Sequence, residues 1–230
     1  MIKSVLILCL VFSLSVRLMG QQSYGCENKA LTKSLEEKLL GYAVGQPLDE
    51  KQFFSDDWSE AIVTLADGRI ITGELLRYNG FLEKFIWLKK GTNQQIILND
   101  ELVVRVDLNS GKSTGTSNFE RIKVKRWYDT DSVFVFLEVL TEGPVSLYAE
   151  RKIADSQSSN EYFSDYLLYI KINNNPLSAI KPRKRDLLAA LGTYKDEGKL
   201  ALKKAKLSIS KESDLIRAIK YLNKTIDFKK

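Results

Sequence analysis

Two hydrophobic periods divide the chain. From Trp58 to about residue 172 apolar residues return at every second position, and from about residue 184 they return at every third or fourth. In AIVTL (61–65), Ile62 and Thr64 face one way while Ala61, Val63 and Leu65 face the other, which predicts a strand. ADGR follows, and Asp67-Gly68 predicts a tight turn, because glycine takes φ > 0 at little steric cost. IITGELLRY (70–78) is the return strand, and Asn79-Gly80 marks a second turn. Further strands are predicted over 84–89, 94–98, 102–108, 119–127, 132–140, 145–151 and 162–172. Their junctions contain GTN, NDE, NSGKSTGTSN, YDTD, EGP and NNNP, all turn chemistry. About nine strands at short spacing, with no helical crossovers between them, predict antiparallel pairing. The expected architecture is a meander curled into a barrel-like sheet or a sandwich.

Helical spacing appears at both ends. Leu31, Leu35 and Leu39 recur at i, i+4 and i+8, predicting a short helix within residues 27–45 that Gly41 or Gly45 ends before Pro47. After NNNP, RDLLAAL supplies Leu187, Leu188 and Leu191 ahead of Gly192. Thr193 is placed to cap a second segment, with Asp196 and Glu197 in its first turn, where negative charge complements the helix dipole. Ser210 is placed to cap a third, whose Leu215, Ile219, Leu222 and Ile226 line one face. The fold class is therefore α+β: an antiparallel sheet followed by three short C-terminal helices.

Composition adds an address. Met1, Ile2 and Lys3 precede the uncharged run SVLILCLVFSLSV, and Gly20 stands before a polar stretch. These are the marks of a secretory signal peptide cut near Gly20–Gln21, and the run is too short for a spanning helix, which needs about 20 apolar residues. No later stretch is apolar enough to span as a helix. The reading divides the chain into a signal peptide (1–20), an N-terminal arm (21–50), a β domain (51–180) and a basic helical region (181–230). The destination is the periplasm or cell envelope, with outer-membrane association open. With Cys9 in the signal, Cys26 has no intramolecular partner. SYGC before it leaves two readings, a lipidated cysteine or a plain thiol near a terminus. The chain has no histidine, which removes the usual neutral-pH proton shuttle, Ser–His and Cys–His nucleophile pairs, and His/Cys zinc sites. No cofactor is implied.

Several motifs in this order resemble a family of secreted envelope proteins of Gram-negative bacteria to which no activity is assigned. They are Trp58, Val63, Leu65, Asp67-Gly68, Gly73, Leu75 and Tyr78-Asn79, then FLEVLTEGPVSLY (136–148). KRDLL (184–188), KKAKL (203–207), and Asp214-Leu215 with Tyr221 and Asn223 complete the pattern. The resemblance spans residues 58–223. Ala61 departs from it, since the family tends to have glycine there. It implies an architecture and an envelope setting but no catalytic residues.

Charge is the strongest functional signal. Residues 181–230 hold 15 Lys/Arg against 6 Asp/Glu, a net +9, while residues 21–180 hold 18 against 23, a net −5. The tail either folds back with leucines docked and lysines solvated, or presents a cationic face to an anionic envelope surface or an acidic envelope protein. Lys199, Lys203, Lys204 and Lys206 are its candidate binding residues. Nucleic acid is not an expected partner, because the signal peptide sends the chain out of the cytoplasm. A second basic feature is FERIKVKRW, where Phe119, Arg121, Lys123, Lys125 and Trp127 share one face. Such a strip fits an acidic polysaccharide or phosphate groups, or is an ordinary solvated strand face.

Catalytic signals are weak. A glycosidase needs two carboxylates about 5–9.5 Å apart. Glu74, Glu83, Asp107 and Glu138 are available, but no spacing singles out a pair. Asp129 and Asp131 lack the remaining oxygen positions of a calcium loop, and GKSTGT (111–116) lacks the glycine spacing of a phosphate loop. The sequence points to an exported, non-enzymatic binding or assembly protein. The alternative is a carboxylate-based hydrolase or a saccharide- or lipid-binding β-barrel.

Overall fold

A computed structural model of the chain describes residues 40–44, 48–109, 115–126, 129–156 and 161–228. The stretch predicted as a signal peptide (1–20), Leu31, Leu35 and Leu39 of the predicted N-terminal helix, Cys26, Trp127 and most of GKSTGT lie outside the described residues. Eleven strands form one sheet: β1 (Leu40–Ala43), β2 (Ser59–Leu65), β3 (Ile70–Asn79), β4 (Lys84–Lys89), β5 (Gln94–Leu98), β6 (Val103–Asn109), β7 (Thr116–Val124), β8 (Val133–Thr141), β9 (Val145–Ser156), β10 (Glu161–Ile172) and β11 (Ser178–Ile180). Three helices follow: α1 (Lys184–Ala190), α2 (Lys195–Lys204) and α3 (Glu212–Thr225). The fold class is thus α+β, with β2 to β11 joined by antiparallel ladders.

The strand order is β1-β5-β4-β3-β2-β6-β7-β8-β9-β10-β11, so the meander runs straight through except where β6 returns beside β2. In a flat sheet β5 and β6 would stand about 19 Å apart, four spacings of about 4.8 Å. Only residues 99–102 connect them, and three of these form a 3-10 turn, which rises only about 2 Å per residue. The sheet must therefore curl, and side-chain contacts show how far. Phe85 on β4 and Phe136 on β8 lie five places apart in the order, yet their rings meet edge-on with centroids 4.9 Å apart. Tyr78 stacks on Phe119 at 5.1 Å, and Ile153 N–H on β9 donates to Gly80 O at 3.0 Å. These aromatics are the concave core. The two ends of the order, β1 and β11, do not pair, so the barrel-like sheet stays open.

Outside this curl, residues 48–58 cover the opposite face of β3, β4 and β5. Phe53 packs with Ile86 and Ile97, and buried Arg77 has its guanidinium 4.0 Å from the Phe53 ring centroid. Arg77 also donates to Ser55 O and to Glu50. The helices cover one face of β9, β10 and β11, where Leu147, Ile170 and Ile180 pack with Leu187, Leu202, Leu215, Ile219 and Leu222. Leu191 and Ile226 are buried there too, with Leu188 packed against the same cluster, so the leucine pattern of the tail is structural, as its spacing predicts.

Some local expectations need correction. Residues 40–43 are strand rather than the end of a helix; next to β5 the sheet's ladder outweighs a weak helical period. The strand predicted over 119–127 ends at Val124, because Arg126 turns its guanidinium across to Glu83 and Glu150. Thr193 does not cap α2; it lies in a 3-10 turn (Gly192–Tyr194) that leads directly into the helix. Ser210 takes part in starting α3, but through Asp214, whose carboxylate accepts from both the Ser210 backbone N–H at 3.2 Å and its hydroxyl at 2.9 Å. The Ser210 hydroxyl, and then Arg217, lower the Asp214 carboxyl to about 2.

The Asp67-Gly68 turn is where the sequence puts it, with Gly68 at φ +84° and its N–H donating to Leu65 O at 2.9 Å. A Cβ at Gly68 would meet no atom within 4 Å. Gly68→Val is therefore expected to cost about 1–2 kcal/mol, all of it from the left-handed backbone. Urea melts measure it, and unchanged stability would mean that the turn relaxes freely.

Candidate functional site

The four candidate lysines of the tail fall on or just after α2. Lys199, Lys203, Lys204 and Lys206 are all exposed. The cause is geometric: Gly198, Ala201 and Leu202 are the buried side of this helix, which leaves the intervening lysines facing water. Leu200, 69% exposed, stands among them. None of the four makes an ion pair among the described residues.

Two arginines of the sheet behave differently. Arg105 bonds Asp107 at 2.8 Å and Glu120 at 3.3 Å, while Arg151 bonds Glu138 at 2.6 Å and grips both oxygens of Glu212 on α3. The densest cluster surrounds Glu150, which is fully buried. Its carboxylate accepts from Arg126, from Lys152 at 3.2 Å and from the Tyr169 hydroxyl at 2.9 Å. Glu83 shares both cations, with Lys152 at 3.0 Å. Burial opposes the charge on Arg126, yet its bonds to Glu150 and Glu83 carry its pKa above the ordinary arginine value. Sequence reasoning weighs Glu83, Asp107 and Glu138 for catalysis and misses Glu150, since nothing in its local spacing marks it as buried.

The β7 strip is only partly assembled. The register sets Arg121 opposite Phe136 and Lys123 opposite Phe134. The Arg121 guanidinium lies 4.3 Å from the centroid of the exposed Phe134 ring, with Lys123 Nζ at 5.9 Å. Phe119 is buried in the aromatic core instead of bracketing the strip. Lys125 is exposed just past the strand end. What the structure brings together here is two cations around one exposed phenyl ring.

The four acids weighed for catalysis each have a fixed partner. Glu74 accepts from Trp87 Nε1 at 2.7 Å, Asp107 from Arg105, Glu83 from Arg126 and Lys152, and Glu138 from Arg151. Glu138 and Arg151 line a cavity of about 290 Å3 at the mouth of the curled sheet. Among the described residues, no group of three Asp, Glu or Cys side chains is placed to hold a metal ion, and no helix is long and apolar enough to cross a membrane. No protein family, curated protein or solved structure matches this chain.

Proposed function

We propose that the protein is exported to the cell envelope and works there by binding or assembly, without catalysis. Its basic helical region faces an anionic envelope surface or an acidic envelope partner. One observation carries this reading: Arg105, Arg126 and Arg151 are neutralised by neighbouring carboxylates, whereas Lys199, Lys203, Lys204 and Lys206 stand exposed without an ion pair among the described residues. Cations with no internal partner project their field outward. The envelope family that residues 58–223 resemble suits the same role. The hydrolase alternative rests on the cavity beside Glu138, where the carboxylate is bonded to Arg151.

Reversing all four lysines to glutamate tests the proposal. Folding should change little, since exposed charges contribute about 0–1 kcal/mol each at most. Association with washed envelope membranes at low salt should fall sharply, on the scale of about 1 kcal/mol per lysine. Raised salt should weaken the unaltered protein likewise, because such attraction is screened within about 10 Å at 0.1 M. Identical fractionation of both proteins at low salt would overturn the proposal.

A further inference from the structure

The sheet carries one incomplete edge. β10 pairs with β9 along all twelve of its residues, from Glu161 to Ile172, but with β11 only at Leu168, Tyr169 and Ile170. β11 stops at Ile180, and Pro182, which has no N–H to give, follows two residues later. The backbone phase of β10 can be read from its neighbour. Ile153 lies opposite Ser164 but donates its N–H to Gly80 on its other side. Ser164 is thus a residue whose own N–H and C=O point away from β9. Tyr162 and Tyr166, in the same phase, do likewise, and neither meets another strand among the described residues. Tyr166 N–H bonds to the side chain of Asp165 at 2.8 Å, a local substitute of the kind a strand uses at a free edge.

This edge opens onto a groove of about 860 Å3, lined by residues 165–168 of β10, by residues 178–183 and by α1; Lys181, Arg183 and Arg185 there outnumber two carboxylates, Asp165, which accepts from Tyr166 N–H, and Asp186, which pairs with Arg185. Its rim is the KPRKR stretch, with Lys181, Arg183 and Arg185 exposed. Lys181 and Arg183 make no ion pair among the described residues; Arg185 pairs with Asp186. Ala189 and Ala190 line the α1 side with small side chains, which leaves room for a backbone to approach.

We propose that the edge of β10 from Tyr162 to Leu167 docks an extended acidic segment of a partner protein, which adds to the sheet as a further strand. The outward N–H and C=O groups of Tyr162 and Ser164, with the C=O of Tyr166, supply its main-chain bonds, and the cations of residues 181–185 select acidic side chains on it. Main-chain pairing of this kind gives affinity, while the groove beside it gives specificity. Six residues of edge match a segment about 20 Å long. The site is separate from the lysine face of α2 and does not rest on it.

A fluorescent ten-residue peptide of alternating Glu and Val, with alternating Lys and Val as the control, tests the assignment by anisotropy. The acidic peptide should bind saturably and the basic one should not. Amide exchange at Tyr162 and Ser164 should slow when the acidic peptide is bound. Ser164→Pro removes an edge donor without touching the β9 ladder, and Ala189→Glu obstructs the groove from the exposed side of α1. Each should weaken binding about tenfold or more, equivalent to at least about 1.4 kcal/mol. Reversing Lys199, Lys203, Lys204 and Lys206 should change binding by less than about threefold, well under that amount. Equal binding of the two peptides, unaltered affinity in folded Ala189→Glu, unslowed edge amides, or loss of binding on reversing the α2 lysines would each overturn the proposal.

Discussion

Leu202→Ala is expected to lower the unfolding free energy by about 2–5 kcal/mol, while Leu200→Ala on the same helix changes it by less than about 0.5 kcal/mol. The two leucines stand two positions apart and differ only in where the helix turn aims them. Leu202 is fully buried in the cluster between the helices and β9–β10–β11, and Leu200 is 69% exposed. α2 has ten residues, and a helix of that length is marginal in water, so packing has to hold it in place. Urea melts of the two variants measure the contrast. Equal losses would mean that α2 does not sit on the sheet in the orientation described.

Arg126→Met is expected to cost about 3 kcal/mol, at the low end of the range for breaking one side of a buried ion pair. The loss arises from what stays behind. Glu150 remains fully buried with Glu83 beside it, and Lys152 alone is left to balance two carboxylates. Adding Glu150→Gln to Arg126→Met should cost less than the sum of the single changes, since groups in one network do not act independently. A loss below about 1 kcal/mol for Arg126→Met would show that Lys152 and the Tyr169 hydroxyl suffice, because it would fall well outside that range.

Alternation was a sound guide to the strands that are long and buried on one face. β2 to β10 stand close to where a two-residue period places them, because a one-residue slip would turn every core side chain toward water. β1 and β11 escape that logic. They have four and three residues, too few to display a period, and the neighbouring strand rather than their composition decides their state. The return of β6 beside β2 is likewise a property of curl, which depends on distant contacts such as Phe85 with Phe136. Buried charge was the least legible feature. Arg77 and Glu150 read locally as solvent-facing residues, and only matching partners make their burial tolerable, Glu50 and Ser55 for the first and Arg126, Lys152 and Tyr169 for the second. The lysines of α2 were legible for the opposite reason: exposed charge alternating with a buried side of Gly198, Ala201 and Leu202 is itself a helical pattern.

The joint between sheet and helices has a consequence for the order of assembly. Asn223 of α3 acts on β9 as a neighbouring strand would, accepting from Val145 N–H at 2.9 Å and donating to Val145 O at 2.8 Å. Gly143 leaves the room for this, since a Cβ there would lie 2.6 Å from Asn223 Nδ2. The sheet face that begins at Val145 is thus covered by residues of α1 to α3 synthesised well after it, the Asn223 hydrogen bonds spanning 78 positions. While the chain emerges from its N-terminus, Leu147, Ala149, Leu168 and Ile170 wait uncovered beside an unfinished sheet edge. Such surface is what chaperones hold and what aggregates when they do not. Nascent chains stalled before α1 should therefore be the ones that depend on a holdase, and completion of α3 is the event that releases them.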